Sequence, residues 1–249
     1  MKKQDWQLKK PLDAILFDCD GTLSSIEGID ELAVSAGPEK AQAVQALTAD
    51  AMGKTGINPE VYQKRLELVA PARAEVEQLG ETYFRHCTPD SKAVISLFQQ
   101  LGKPVYVLSA GLFEAVSWFA NQLNIPPQHV FAVRIQFDEQ GAYRDFDKTS
   151  PLIHNQGKRI IVEQLKKRHS RLLYLGDGLN DLAVRDLVTR FVGYGGSYYR
   201  QNIADQCEFY IKTPSLLPLL PLVLTAEEYD GLSVAERKLY DTGLVMLEA

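Results

Sequence analysis

The sequence predicts an α/β protein: a doubly wound, Rossmann-like parallel sheet with an α-helical cap inserted after its first strand. Three observations carry that expectation. Ala14-Ile15-Leu16-Phe17 is an apolar run without polar interruption, as a central parallel strand buried on both faces requires. Comparable runs at Val105 to Leu108 and Leu172 to Leu175 each follow a helix-period segment and end in a polar loop. Between about Ile29 and Tyr83 strands are missing and several helices follow one another, more than one βαβ crossover needs.

Taken in order, the first strand ends in Asp18-Cys19-Asp20-Gly21-Thr22. Two carboxylates stand one residue apart, where open α/β sheets place their ligands. Gly21 allows a sharp turn, and Thr22 offers an anion a hydroxyl and an amide N–H. A calcium loop is disfavoured because the twelfth position from Asp18 is Ile29, where a bidentate Glu is needed. A solvated Asp/Gly turn stays open on this stretch alone.

Ile29, Leu32, Ala33 and Ala36 then recur at helical spacing until Gly37-Pro38 breaks them. Further helices reach about Gly53, cover Pro59 to Val69, and run from Pro71 to Tyr83. Residues 27–88 are therefore expected to form the cap, and residues 1–26 with 89–224 the core. Ser91 is expected to cap a helix that Gly102 ends. The strand at Val105 runs into Ser109-Ala110-Gly111, and Leu112 to Leu123 is helical. Phe131 to Phe146 alternates around Glu139-Gln140-Gly141 and reads as a β-hairpin. Helix Lys158 to Arg168 precedes the third buried strand, which ends in Gly176-Asp177-Gly178-Leu179-Asn180-Asp181. Phe191 to Gly193 and Phe209 to Ile211 are short later strands. In residues 225–249 a weak helical pattern of Leu232, Ala235 and Leu239 leaves three roles open: docking on the body, self-association as a homodimer, or disorder.

Composition narrows the function classes. The 249 residues are 45% hydrophobic and 24% charged, ordinary for a globular chain able to bury a sizeable core. The formal charge of -5, with Lys and Arg dispersed, offers no electrostatic case for nucleic acid or an anionic membrane. Lys2, Lys3, Asp5, Lys9 and Lys10 precede any apolar run, so a signal-peptide core is not expected. The longest apolar stretch, Leu216 to Leu224, contains Pro218 and Pro221 and is too short to span a bilayer. A cytoplasmic location is expected, and Cys19, Cys87 and Cys207 lack zinc or redox spacing, in keeping with a reducing compartment.

The carboxyl ends of parallel strands share one edge, so Asp18, Asp20, Ser109 and Asp177 can converge, with Lys158 one helix ahead of the third strand. The combination calls for a phosphate and a hard cation. Asp18 and Asp177 suit Mg²⁺, while Lys158, Ser109, Thr22 and backbone amides suit phosphate oxygens. Counting charges leaves such a site negative, so Asp20 is the group to hold a proton for a leaving alkoxide. Asp18 is then free to attack phosphorus and form an aspartyl-phosphate.

The ordered set Asp18-x-Asp20-Gly21-Thr22, Ser109, Lys158 and Gly176-Asp177-Gly178-x-Asn180-Asp181 resembles the haloacid dehalogenase superfamily, most of whose members are Mg²⁺-dependent phosphatases. Within it the chain is similar to the phosphoserine phosphatase family. That similarity rests on Glu27-Gly28-Ile29-Asp30-Glu31-Leu32-Ala33, Ala51-Met52-Gly53, Arg65-Leu66, Leu123-Asn124-Ile125-Pro126, Phe146-Asp147 and Gly195-Gly196 followed by Arg200. It extends from about Leu12 to Ile211. The resemblance implies that Asp18 is the nucleophile and Asp20 the acid/base, with Lys158 completing the catalytic set. It implies Mg²⁺ on Asp18, the backbone carbonyl of Asp20, and Asp177. Ser109, the amide of Ala110, and Lys158 would hold the phosphate, and Asn180 and Met52 would join the substrate-binding set. Glu27 and Arg65 in the cap would read an ammonium and a carboxylate; Thr22, Gly178 and Asp181 would support the site.

Three positions depart from the family's pattern. Gly21 stands where Ser is usual, Ala110 where Gly is usual, and Asn58 where the cap usually sets Phe against the substrate. The implied substrate is O-phospho-L-serine. Another small phosphate ester, or a phosphoryl acceptor other than water, is compatible with the same residues. A phospho-accepting regulatory module is disfavoured by Asp20 and by a cap that would shield the site from partners. Dinucleotide binding fails because Gly176-x-Gly178-x-x-Asp181 lacks the third glycine.

Overall fold

The structure is a computed structural model that describes residues 6–50 and 56–248. Its strands are β1 (Ala14–Phe17), β2 (Val105–Leu112), β3 (Val130–Val133), β4 (Ile135–Phe137), β5 (Tyr143–Phe146), β6 (Leu172–Gly176), β7 (Arg190–Tyr194) and β8 (Phe209–Ile211). Six of them form one parallel sheet in the order β3-β2-β1-β6-β7-β8. The chain winds outward from β1 to β3, crosses back, and winds the other way from β6 to β8. The winding therefore reverses beside β1, where doubly wound sheets open a crevice. All four residues of β1 are fully buried, which its unbroken apolar run foretells. Phe17 is level with both Val107 and Leu175, so Asp18 and Asp177 leave the sheet at one edge; Ser109 lies beside them but inside β2, which continues past the expected loop to Leu112 with a register irregularity after Leu108.

The stretch Phe131 to Phe146 is not one hairpin. Val130–Val133 pairs parallel with β2 as the edge of the main sheet, and only β4 and β5 form the antiparallel hairpin. Alternation is common to an edge strand and a hairpin arm, so the pattern does not separate the two.

Helices α1 (Gly28–Ser35), α2 (Pro38–Asp50), α3 (Pro59–Val69) and α4 (Arg73–Arg85) lie between β1 and α5 (Ser91–Gln100). The linkers into and out of this helical segment run side by side. Thr88 N donates to Leu23 O (2.9 Å), Ser25 N to His86 O (2.9 Å), and Thr88 Oγ1 to Thr22 O (2.5 Å). Helix α4 packs on α6 (Phe113–Gln122), where Tyr83 stacks on Phe119 with ring centroids 5.8 Å apart. Ser91 is the first residue of α5, not its cap; its hydroxyl donates to Thr88 O at 2.7 Å, and Asp90 holds the cap position in a left-handed conformation.

The remaining helices are α7 (Gly157–Leu165), α8 (Leu179–Leu182), α9 (Gln201–Ala204), α10 (Leu219–Val223), α11 (Ala226–Asp230) and α12 (Val234–Glu248). Of the three roles open for the C-terminal stretch, docking is observed: α12 packs on α10, burying Tyr240 and Gly243. Glu228 caps α11 through the Thr225 amide and takes a salt bridge from buried Lys103. Among the described residues no helix is long and apolar enough to cross a membrane.

Candidate active site

Asp18 is the first residue past β1. Its buried carboxyl accepts the Cys19 amide (2.7 Å) and faces Lys158 Nζ (2.7 Å), both on Oδ1. Lys158, on α7, is also buried, and its ammonium bonds Asp181 Oδ1 at 2.6 Å. Burial opposes the charge on Lys158, but Asp18 and Asp181 outweigh it and hold the ammonium above the ordinary lysine range. Asp18 is pushed well above the carboxylate range by burial and by Asp181, with Lys158 opposing and Asp177 and Asp20 adding to the rise.

Asp18, Asp177 and Asp181 each offer a ligand oxygen, all within 4.8 Å of one another. Asp181 is already filled: Oδ1 accepts from Lys158 and from the Tyr174 hydroxyl (2.7 Å), and Oδ2 from the amides of Asp177 (3.1 Å) and Gly178 (2.9 Å). That leaves the Asp18 and Asp177 carboxyls for a cation, an all-oxygen set of the kind hard divalent ions take. A guanidinium already sits there, since Arg200 Nη1 pairs with Asp177 Oδ2. Burial raises the Asp177 carboxyl and Arg200 pulls against that rise.

Asp20 is held from three sides. Its Oδ1 accepts from the Gly28 amide (2.7 Å) and the Tyr83 hydroxyl (2.6 Å), and its Oδ2 from Ser109 Oγ (2.8 Å). Ser109 Oγ in turn accepts the Gly111 amide at 2.8 Å, so its bonds in this structure serve Asp20 and the loop. Ala110 and Gly111 line the cleft beside it. The Thr22 amide does not face an anion, because it donates to Cys19 O at 3.2 Å; the Thr22 hydroxyl is buried with no partner among the described residues.

On the cap side the cleft is lined by Glu27, Ile29 and Arg65, opposite Asn180. Asp30 Oδ1 holds Arg65 Nη2 at 3.1 Å, while Arg65 Nε is buried and has no partner among the described residues. Glu27 lies 3.8 Å from Arg200 Nη2, and burial with Asp20 and Asp177 nearby pushes its carboxyl well above the usual range. Asn58 does not line the cleft. Its side chain accepts the Val61 amide at 2.9 Å and caps α3. Met52 lies outside the described residues.

Three side chains join the site without having been singled out for it from the sequence. Arg200 follows β7, whose end lies on the same sheet edge, and that position was the available signal. Tyr83 and Tyr62, whose hydroxyl donates to Ala110 O at 2.9 Å, come from cap-segment helices, where periodicity reports a buried face but not its partner.

Comparison with known proteins fits this geometry. A family model for haloacid dehalogenase-like hydrolases matches residues 12–184. The phosphoserine phosphatase of Bos taurus is 35% identical over 201 residues, spanning 80% of this chain and 88% of that protein. The chain belongs to the phosphoserine phosphatase family of haloacid dehalogenase-like hydrolases. The family's chloroplastic phosphoserine phosphatase of Arabidopsis thaliana is 30% identical over 216 residues, 84% of this chain and 72% of that one. A phosphoserine phosphatase solved with a phospho-aspartyl intermediate analogue shares the family fold at TM-score 0.75 and 23% identity, covering 86% of this chain and 100% of the other.

Proposed function

We propose that the protein is a Mg²⁺-dependent phosphoserine phosphatase, hydrolysing O-phospho-L-serine to L-serine and phosphate. The observation that carries the reading is the convergence of Asp18, Asp20 and Asp177 on one cleft, with Lys158 paired to Asp18, and a cap wall that supplies Arg65 and Glu27. The unpartnered Arg65 Nε suits a substrate carboxylate, and Glu27, whose charge burial opposes, suits an ammonium that restores it.

Asp18 attacks phosphorus, the bond from phosphorus to serine Oγ breaks, and Asp20 passes its proton to that oxygen. Asp20, now ionised, takes a proton from water as the water oxygen attacks the aspartyl-phosphate, which restores Asp18 and frees inorganic phosphate. Lys158 balances charge beside Asp18 throughout, and Asp181 fixes its position. Mg²⁺ bound by Asp18, Asp177 and the Asp20 carbonyl would neutralise charge on the phosphoryl oxygens. The amide of Ala110 and the Asn180 side chain complete the phosphate and substrate contacts.

The free thiols of Cys19, Cys87 and Cys207 support a cytoplasmic location. Self-association through α12, which leaves Val234 and Val245 exposed, is the form a homodimer would take, and sedimentation tests it.

Phosphate release from O-phospho-L-serine, with Mg²⁺ and with EDTA, tests the function. Turnover is expected only with the metal. Asp18→Asn should fold normally by circular dichroism and lose at least about ten-thousandfold in kcat, since an amide cannot attack phosphorus. Retention of a tenth of wild-type activity would rule out the covalent route.

A further inference from the structure

Tyr83 is fully buried and fixed at three points. Its ring lies against Phe119 at an interplanar angle of 20°, its carbonyl accepts Ser24 Oγ at 3.0 Å, and its hydroxyl donates to Asp20 Oδ1 at 2.6 Å. Space for that hydroxyl is made by two glycines. A Cβ on Gly28 would lie 1.9 Å from the Tyr83 hydroxyl oxygen, and one on Gly111 would lie 3.1 Å from it. The Gly28 amide bonds the same carboxylate oxygen at 2.7 Å, so Oδ1 has two donors while Oδ2 has the Ser109 hydroxyl.

We propose that Tyr83 is a positioning residue for the proton transfer: with the Gly28 amide it anchors Oδ1 of Asp20, and it thereby leaves Oδ2 as the oxygen that gives and takes the proton. This rests on the phosphatase reading and adds to it the residue that aims the acid. A carboxyl free to turn about its Cβ–Cγ bond spends time out of reach of the leaving oxygen, and proton transfer needs that oxygen within hydrogen-bond distance. The Oδ2 proton goes to serine Oγ as the ester bond breaks, and the same oxygen collects a proton from the attacking water. Ser109 donates to the second lone pair of Oδ2 in either state.

Tyr83→Phe keeps the ring and removes the bond. The loss should follow leaving-group basicity, because a good leaving group needs little protonation. For alkyl esters, O-phospho-L-serine together with O-phosphoethanolamine and glycerol phosphate, kcat should fall about tenfold with KM within about twofold. For p-nitrophenyl phosphate, kcat/KM, which stops at loss of the leaving group and does not include hydrolysis of the shared aspartyl-phosphate, should change by no more than about twofold. In an Asp20→Asn background Tyr83→Phe should have no further effect on the alkyl esters, since its action passes through Asp20. Gly28→Ala, whose Cβ would displace the Tyr83 hydroxyl, should reproduce the split should Tyr83→Phe fail to fold. An equal loss of kcat/KM for alkyl and aryl esters, an effect confined to KM, or an undiminished effect in the Asp20→Asn background would overturn the role of Tyr83. A wild-type enzyme that prefers another alkyl ester to phosphoserine would instead overturn the substrate reading, and the alkyl-against-aryl comparison would still decide Tyr83.

Discussion

At position 21 the backbone has φ of +69°, and a Cβ would lie 2.5 Å from Asp177 Oδ2. Glycine is what this loop accommodates, because it has no side chain to strain the left-handed turn or crowd the Asp177 carboxyl. Gly21→Ala should therefore cost about 1–2 kcal/mol of stability from the backbone conformation. It should also raise the Mg²⁺ concentration for half-maximal activity, measured by titration against phosphate release; an unchanged requirement would mean Asp177 does not hold the metal. Single residues varied in how readable they were. Asp18, Asp20 and Asp177 announce themselves as carboxylates directly after buried strands. Ser109 lies inside β2 instead of after it, and its hydroxyl proton goes to Asp20, a partner that residue type does not reveal.

Among the elements, β1, β2 and β6 were legible because continuous apolar runs have no stable alternative to burial between strands. The hairpin boundary was not, because the short segments Val130–Val133 and Ile135–Phe137 are separated by one residue and their sequence does not name the strand each pairs with. Asn58 shows the same limit from the side of the site. Expected from the resemblance to stand at a substrate-facing position, it serves instead as the N-cap of α3. Asn58→Ala should lower stability by about 1 kcal/mol, read from denaturant unfolding, and leave the ranking of phosphate esters unchanged. A changed ranking would place Asn58 in the pocket after all. Tyr83 was unreadable for a related reason: it lies 63 residues from Asp20, on a helix whose period marks only an inward face.

For the whole molecule, stability and metal binding are linked through pH. Asp18, Asp177 and Glu27 have carboxyls raised above their unfolded values, chiefly by burial. Each contributes stability that is complete below its unfolded pKa and is lost as pH rises through its folded one. Lys158, also raised, keeps its contribution until alkaline pH. The metal-free protein should thus lose stability from these carboxyls as pH rises above the ordinary carboxylate range, and Mg²⁺ should raise Tm more at higher pH than at lower. An equal rise at both would mean that the metal does not meet these groups. Convergence of the three strand ends followed from the parallel sheet alone, whereas the pairing of Arg200 with Asp177 and Glu27 depends on how the loop after β7 folds back.

The most direct measurement is kcat/KM for O-phospho-L-serine against sugar and nucleoside monophosphates, in the wild type and in Arg65→Lys. Arginine can grip a carboxylate with two parallel hydrogen bonds, and lysine cannot reproduce that geometry. Phosphoserine should be the best substrate of the wild type, and Arg65→Lys should lower its kcat/KM by about tenfold or more, from charged hydrogen bonds worth about 1.5 to 3 kcal/mol. Esters without a carboxylate should be nearly unaffected. Preference for another ester, or equal slowing of all of them, would contradict the reading of this cap as a receptor for an amino acid.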